Sequence, residues 1–157
     1  MKKPTLVLVL FTLVAAGAAL ALVRAQQATP AAEPIVVYKT ATCGCCGVWV
    51  EHLRAAGFTV ETHDVSHEAL AGIAGTAGVT PDLRSCHTGL VGGYAIEGHV
   101  PATDIKRLLK DRPAVAGISV PGMPVGSPGM EMGDRRDPYN VVAFTREGRR
   151  SVFAQYR

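Results

Sequence analysis

The stretch Ile35-Val36-Val37-Tyr38-Lys39-Thr40-Ala41-Thr42-Cys43-Gly44-Cys45-Cys46-Gly47 decides the architecture. Ile35 to Tyr38 is a short β-branched run, the pattern of a buried strand. Cys46, Trp49, Val50, Leu53 and Ala56 then recur at helical spacing, with Thr42 as the expected cap and Gly57 as the stop. The cysteines therefore fall between a strand and the helix that follows it.

Downstream, Phe58 to Val65 alternates as a second strand, and Ser66 caps a helix reaching about Thr76. Gly78-Val79-Thr80-Pro81 breaks that helix. Thr88 to Ile96 reads as strand, turn and strand, with Gly92-Gly93 at the turn. Pro101 opens a helix over Ala102 to Lys110 that carries Ile105, Leu108 and Leu109 on one face. The order is βαβα followed by ββα. From Pro113 to Pro138 the regular pattern fails, and ten of those 26 residues are Pro or Gly. A compact domain rarely keeps so long an irregular segment without a use for it. Within it Pro121-Gly122-Met123 recurs as Pro128-Gly129-Met130. Val141 to Thr145 and Ser151 to Tyr156, with a turn near Glu147-Gly148, form a closing hairpin.

Upstream, Lys2 and Lys3 precede an apolar run from Leu6 to Val23, and Val23-Arg24-Ala25-Gln26 offers a cleavage site. Residues 1–25 thus read as a signal peptide or, uncleaved, as a membrane anchor, and either sends the body out of the cytoplasm. Residues 26–34, rich in Ala, Gln and Pro, form a linker, which leaves 35–157 as one domain. Setting aside Lys2, Lys3 and Arg24 brings the 16 basic residues level with the 13 acidic ones. A neutral body excludes nucleic-acid binding through bulk charge.

Three thiols in four residues carry the chemistry. Cys43 and Cys46 have C-x-x-C spacing, and at the start of a helix their side chains share one face. The unpaired N–H groups and partial positive charge of the helix end favour thiolate over thiol. C-x-x-C in a βα unit reads as thioredoxin-like. Cys45 does not suit a simple dithiol switch, because a third sulfur inside the motif scrambles the disulfide. Soft metal ions suit the cluster better. Zinc normally takes a second C-x-x-C or a closely spaced His pair, and neither is present. An iron–sulfur cluster would be fragile in an oxidising compartment. Cu(I), which accepts two or three sulfurs and bridges between them, leads. Metal-free redox chemistry by Cys43 and Cys46 and a purely structural disulfide stand as rivals, the last weakened because C-x-C-C closes almost no loop.

In a thioredoxin-like topology Cys86, just before the third strand, faces the helix end, so four sulfurs share a pocket. His87 occupies the position where such folds usually carry a proline. His99 lies on the adjoining lip. Both read as auxiliary metal ligands or as neighbours of the ligands. Met123, Met130 and Met132 lie in the Pro/Gly-rich loop, where thioethers cover or feed the site or pack the loop. His52, His63 and His67 lack spacing with the cysteines and are assigned no role.

Cys43-Gly44-Cys45-Cys46-Gly47, Ser85-Cys86-His87-Thr88, Gly92-Gly93-Tyr94 through Glu97-Gly98-His99-Val100-Pro101, and Pro121-Gly122-Met123-Pro124 through Gly126-Ser127-Pro128-Gly129-Met130-Glu131 together resemble one family. It is the exported metal-binding domain-of-unknown-function family that includes the CopG-type copper-resistance proteins. The match runs from about Ile35 to Tyr156. The resemblance implies an α/β thioredoxin-like fold with a Pro/Gly/Met-rich loop and a C-terminal β-hairpin. It also implies a periplasmic home and a multinuclear copper–thiolate cluster on Cys43, Cys45, Cys46 and Cys86, with a redox role between Cu(I) and Cu(II). The expected partners are copper ions and other periplasmic copper-handling proteins, with no nucleic acid and no membrane beyond the leader or anchor.

Overall fold

The computed structural model describes residues 33–157; the leader and residues 26–32 of the linker lie outside the described residues. Among the described residues, seven strands and three α-helices follow in the order β1 (Ile35–Lys39), α1 (Gly44–Ala55), β2 (Val60–Asp64), α2 (His67–Thr76), β3 (His87–Val91), β4 (Tyr94–Glu97), α3 (Ala102–Asp111), β5 (Gly117–Ser119), β6 (Tyr139–Phe144) and β7 (Arg150–Tyr156). A 3-10 turn, Pro81–Leu83, precedes β3. The strands make one sheet in the order β2-β1-β3-β4-β5-β6-β7. β1 runs parallel to β2, and β4 to β5; all other neighbours are antiparallel. Among the described residues no helix is long and apolar enough to cross a membrane.

Strand alternation sends apolar side chains to both faces of the sheet. Ile35, Val37, Ile96, Ile118, Val141 and Ala143 pack with Trp49, Val50 and Leu53 of α1 and Ile105 and Leu108 of α3. Ala95 and Phe144 pack on the opposite face with Ala74 of α2, Val79 and Leu83. α1 and α3 thus cover one face and α2 the other, so the start of α1 and the start of β3 meet at one end of the sheet.

Most expected elements form where the sequence places them. Ser66 Oγ accepts from Ala69 N at 3.1 Å as the cap of α2. Gly92 and Gly93, both at positive φ, turn β3 into β4. The closing hairpin is β6–β7. Three features differ. Cys43, not Thr42, is the N-cap of α1, and no side chain bonds the free N–H groups there. β2 is an edge strand whose residues are largely exposed, so its alternation marks pleating rather than a core face. The irregular segment contains β5, inserted between β4 and β6. Gly117 lets that strand in: a Cβ there would lie 2.1 Å from the Ala95 carbonyl oxygen and 2.9 Å from the Phe144 ring.

Candidate metal centre

β1 delivers the chain to a tight turn, closed by Cys43 N donating to Thr40 O at 3.1 Å, and α1 begins at once. Its first turn has neither an acidic residue nor a side-chain cap. The positive end of the helix dipole is therefore left to the sulfurs. Cys46 is fully buried beneath this turn, while Cys45 is partly exposed.

The second wall is Ser85-Cys86-His87 at the start of β3. A buried carboxylate holds it: Glu97 Oε1 accepts from Ser85 N at 2.8 Å and Oε2 accepts from Thr88 Oγ1 at 2.7 Å. Burial pushes the Glu97 pKa up, against the pull of those two bonds. The third wall is the Pro/Gly-rich loop. Gly122 N donates to Arg84 O at 3.0 Å, and Ser85 Oγ donates back to Gly122 O. Gly129, at φ +86°, lies so close to α1 that a Cβ would stand 2.9 Å from both Cys45 O and Trp49 N.

The four cysteines converge as their motifs imply, with their Sγ atoms all within 4.8 Å of one another. Cys45 Sγ lies 3.7 Å from Cys43 Sγ and 4.0 Å from Cys86 Sγ, although 41 residues separate the second pair. Cys43 and Cys46 are joined as a disulfide, and Cys45 and Cys86 are free. The 3.5 Å approach of Cys46 Sγ to Cys86 O is accordingly a packing contact, since the oxidised sulfur has no proton to donate. A structural disulfide with incidental neighbours does not describe this arrangement, because the two free sulfurs sit against the bonded pair.

Cys86 also meets two imidazoles. Its Sγ lies 3.1 Å from His99 Nε2 and 3.4 Å from His87 Nδ1. His99 Nδ1 stands 2.9 Å from the Pro128 carbonyl oxygen, which can only accept. Nδ1 therefore carries the ring proton, and Nε2 turns its lone pair toward Cys86. Both rings are fully buried. Burial, reinforced by the neighbouring His99, pushes the His87 pKa down to about 3. Burial likewise lowers that of His99. Both rings are thus held neutral, the form that binds metal. Trp49 packs on His87 with ring centroids 4.2 Å apart and is itself fixed by Nε1 donating to Val100 O at 2.9 Å.

The helix-end argument concerns the sulfurs of the C-x-C-C turn. Cys86, at the start of β3, is pushed up to about 12 by burial and then by Cys45. A metal arriving at neutral pH must displace a proton there.

The remaining sites are placed as follows. Met123 and Met132 are 52% and 60% exposed on the loop surface, and Met130 is partly buried. His52 accepts from Ala102 N at 3.2 Å, joining α1 to α3. His63 pairs with Glu61 on the exposed edge strand, and His67 opens α2. The sequence assigns no role to Glu97, Pro128 or Gly129, all of which the structure sets in the walls of the centre. A lone Glu closing the apolar strand Tyr94–Glu97 and the repeated Pro-Gly turn are the signals that point to them.

Fold and site define an α/β protein with a cysteine cluster able to bind metal. A family described as a protein of unknown function, DUF411, matches residues 83–130. Two solved structures, described as copper resistance protein CopG, forms 1 and 2, are each 48% identical to this chain with a TM-score of 0.75. Form 1 covers 80% of this chain and 98% of its own, and form 2 covers 81% and 100%. No curated protein matches the chain. The chain belongs to the CopG-type copper-resistance family.

Proposed function

We propose that this protein is a periplasmic copper-binding protein of copper resistance, built on a thioredoxin-like domain at 35–157 behind a leader (1–25) and linker (26–34). In its reduced form Cys43, Cys45, Cys46 and Cys86 hold Cu(I) as a multinuclear thiolate cluster. His87 and His99 are auxiliary donors, and the Met123 and Met130 loop covers or feeds the site. Cycling between Cu(I) and Cu(II) is the redox role, with an external one-electron partner supplying or taking the electron.

The observation that carries this reading is the arrival of Cys86 within 4.0 Å of Cys45, beside a helix start that no side chain caps. Thiolates and imidazoles are donors that copper accepts, thiolates above all as Cu(I). The parallel β1–β2 pair, the antiparallel β3–β4 hairpin and the cysteines at the start of α1 support the thioredoxin-like assignment. The copper-resistance description of the two similar structures supports the cargo.

Anaerobic Cu(I) loading of the fully reduced protein tests it. More than one copper per chain is expected, and Cys45→Ser and Cys86→Ser each lower that count. An unchanged count in either variant refutes the cluster. Voltammetry of the loaded protein tests the redox role, which a missing reversible couple removes.

The Cys43–Cys46 disulfide favours a second reading, a metal-free thiol–disulfide oxidoreductase. That reading expects insulin reduction in the presence of dithiothreitol, with Cys45→Ser leaving the activity intact.

A further inference from the structure

The disulfide divides the donors into two groups. The four-sulfur set loses Cys43 and Cys46 when the bond is closed. A second set, Cys86, His87 and His99, has its donor atoms within 4.8 Å of one another and includes neither of those cysteines. The two sets share only Cys86.

Several features show that the second set is built independently of the first. Glu97 anchors the backbone on both sides of Cys86 through Ser85 N and Thr88 Oγ1. The Pro128 carbonyl fixes the His99 tautomer so that Nε2 faces the sulfur. Trp49 fixes the His87 ring from the side. His87 Nε2 has no hydrogen-bond partner although the ring is fully buried. Here Nδ1 of that ring is turned toward Cys86 Sγ at 3.4 Å. None of these supports passes through Cys43 or Cys46.

We propose that Cys86, His87 and His99 form a separate copper site that works with the disulfide closed, and that the disulfide gates the copper capacity of the protein. One thiolate and two neutral imidazoles are a donor set that copper accepts. Closed, the protein holds one ion beside Cys86, with Cys45 at its edge. Opening takes two electrons and two protons. An external dithiol gives up two hydrogens and closes its own disulfide, leaving Cys43 and Cys46 as thiols. Copper then displaces the thiol protons, and all four sulfurs become ligands. The gating half rests on the copper reading above; the closed-state site does not need the four-sulfur cluster.

The test loads two forms of the protein with Cu(I), supplied anaerobically as its acetonitrile complex. One form has the disulfide closed and the other is fully reduced, each verified by thiol titration. The closed form is expected to bind about one copper per chain, through a donor set that includes nitrogen. Copper K-edge absorption should show that nitrogen in the closed form and sulfur-dominated coordination in the reduced form. Cys43→Ser/Cys46→Ser is expected to match the closed form with or without reductant, which separates the gate from any effect of the reductant itself. His99→Gln is expected to weaken copper binding by the closed form at least about tenfold. A closed form that binds no copper, or shows no nitrogen neighbours, overturns the site. Equal copper counts in the closed and reduced forms overturn the gate. A reduced form that binds no more than one copper overturns the gate and the four-sulfur cluster, while one copper in the closed form would still support the Cys86 site.

Discussion

Replacing Gly129 by alanine asks whether the Pro/Gly-rich loop is a structural wall of the centre. The backbone there has φ +86°, and an added Cβ would lie 2.9 Å from Cys45 O, 2.9 Å from Trp49 N and 3.3 Å from Trp49 Cα. These are backbone atoms of the first turns of α1, so they cannot swing aside, and the Pro128-Gly129 turn must retreat instead. Left-handed backbone costs alanine about 1–2 kcal/mol. Overpacking adds about 1–3 kcal/mol. Loss of the bond from His99 Nδ1 to Pro128 O adds about 1 kcal/mol. Gly148 is the control: its φ is +83°, and a Cβ added there would meet nothing within 4 Å. Gly148→Ala should therefore suffer the backbone penalty alone. The difference of about 2–4 kcal/mol corresponds to roughly 6–15 °C in Tm for a domain of this size. Thermal unfolding of both metal-free variants by circular dichroism measures it. Histidine nitrogen NMR reports whether the proton on His99 Nδ1 is still hydrogen-bonded. Equal melting of the two variants, with that proton unmoved, would refute the argument.

Three further outcomes follow from the same geometry. Glu97→Gln places an amide N–H₂ against one of its two donors, Ser85 N or Thr88 Oγ1. It should lower stability by about 1–3 kcal/mol and speed alkylation of Cys86, and unchanged rates would contradict its anchoring role. For pH, the folded histidines stay neutral where unfolded ones protonate, so stability is intact above about 6.5 and falls as the pH drops below it. The expected slope for His87 approaches about 1.4 kcal/mol per pH unit, and His99 adds to it in the same direction; Glu97, whose raised pKa acts in the reverse sense, opposes both at lower pH. Urea midpoints of the metal-free protein from pH 7 to 5 measure the slope, His87→Phe should flatten it by one histidine, and a flat wild-type profile would refute the assignment. Cys86, raised to about 12, is a thiol at neutral pH, so copper loading should release a proton that Cys86→Ser does not. Indicator dye in weak buffer reads that release, and equal release from both proteins would count against Cys86 as a ligand.

The fold was legible where periodicity and turn chemistry agreed. Ile35 to Tyr38, the Cys46-Trp49-Val50-Leu53 stripe, the Ser66 cap and the Gly92-Gly93 turn each have a local physical cause and stand where expected. β5 was hidden because Pro113, Gly117 and Pro121 crowd a three-residue strand, and pairing on both edges supplies what local propensity does not. The four cysteines were legible as a group because their motifs and the topology agree. The roles of Glu97 and Pro128 were not, since each depends on which backbone group the tertiary fold sets opposite it. The missing cap was equally hidden: Thr42 is a good capping residue, and only the backbone shows that the helix begins one residue later.

Crowding is the physical problem this centre solves. Four thiolates at the mutual distances seen here repel unless something neutralises them, and the residues alone point to cations as the remedy. The structure offers another remedy. A disulfide removes two of the four charges, and burial keeps Cys86 protonated. On the proposed copper reading, electrons and protons therefore occupy the energetic place that copper would take. Filling a four-sulfur site would require both to move, two electrons in and the thiol protons out, which would tie copper capacity to the redox poise and pH of the surroundings. The Cys86–His87–His99 set lacks the first requirement. Its imidazoles are already neutral and its sulfur is not part of the disulfide, so loss of one proton would complete the proposed donor set.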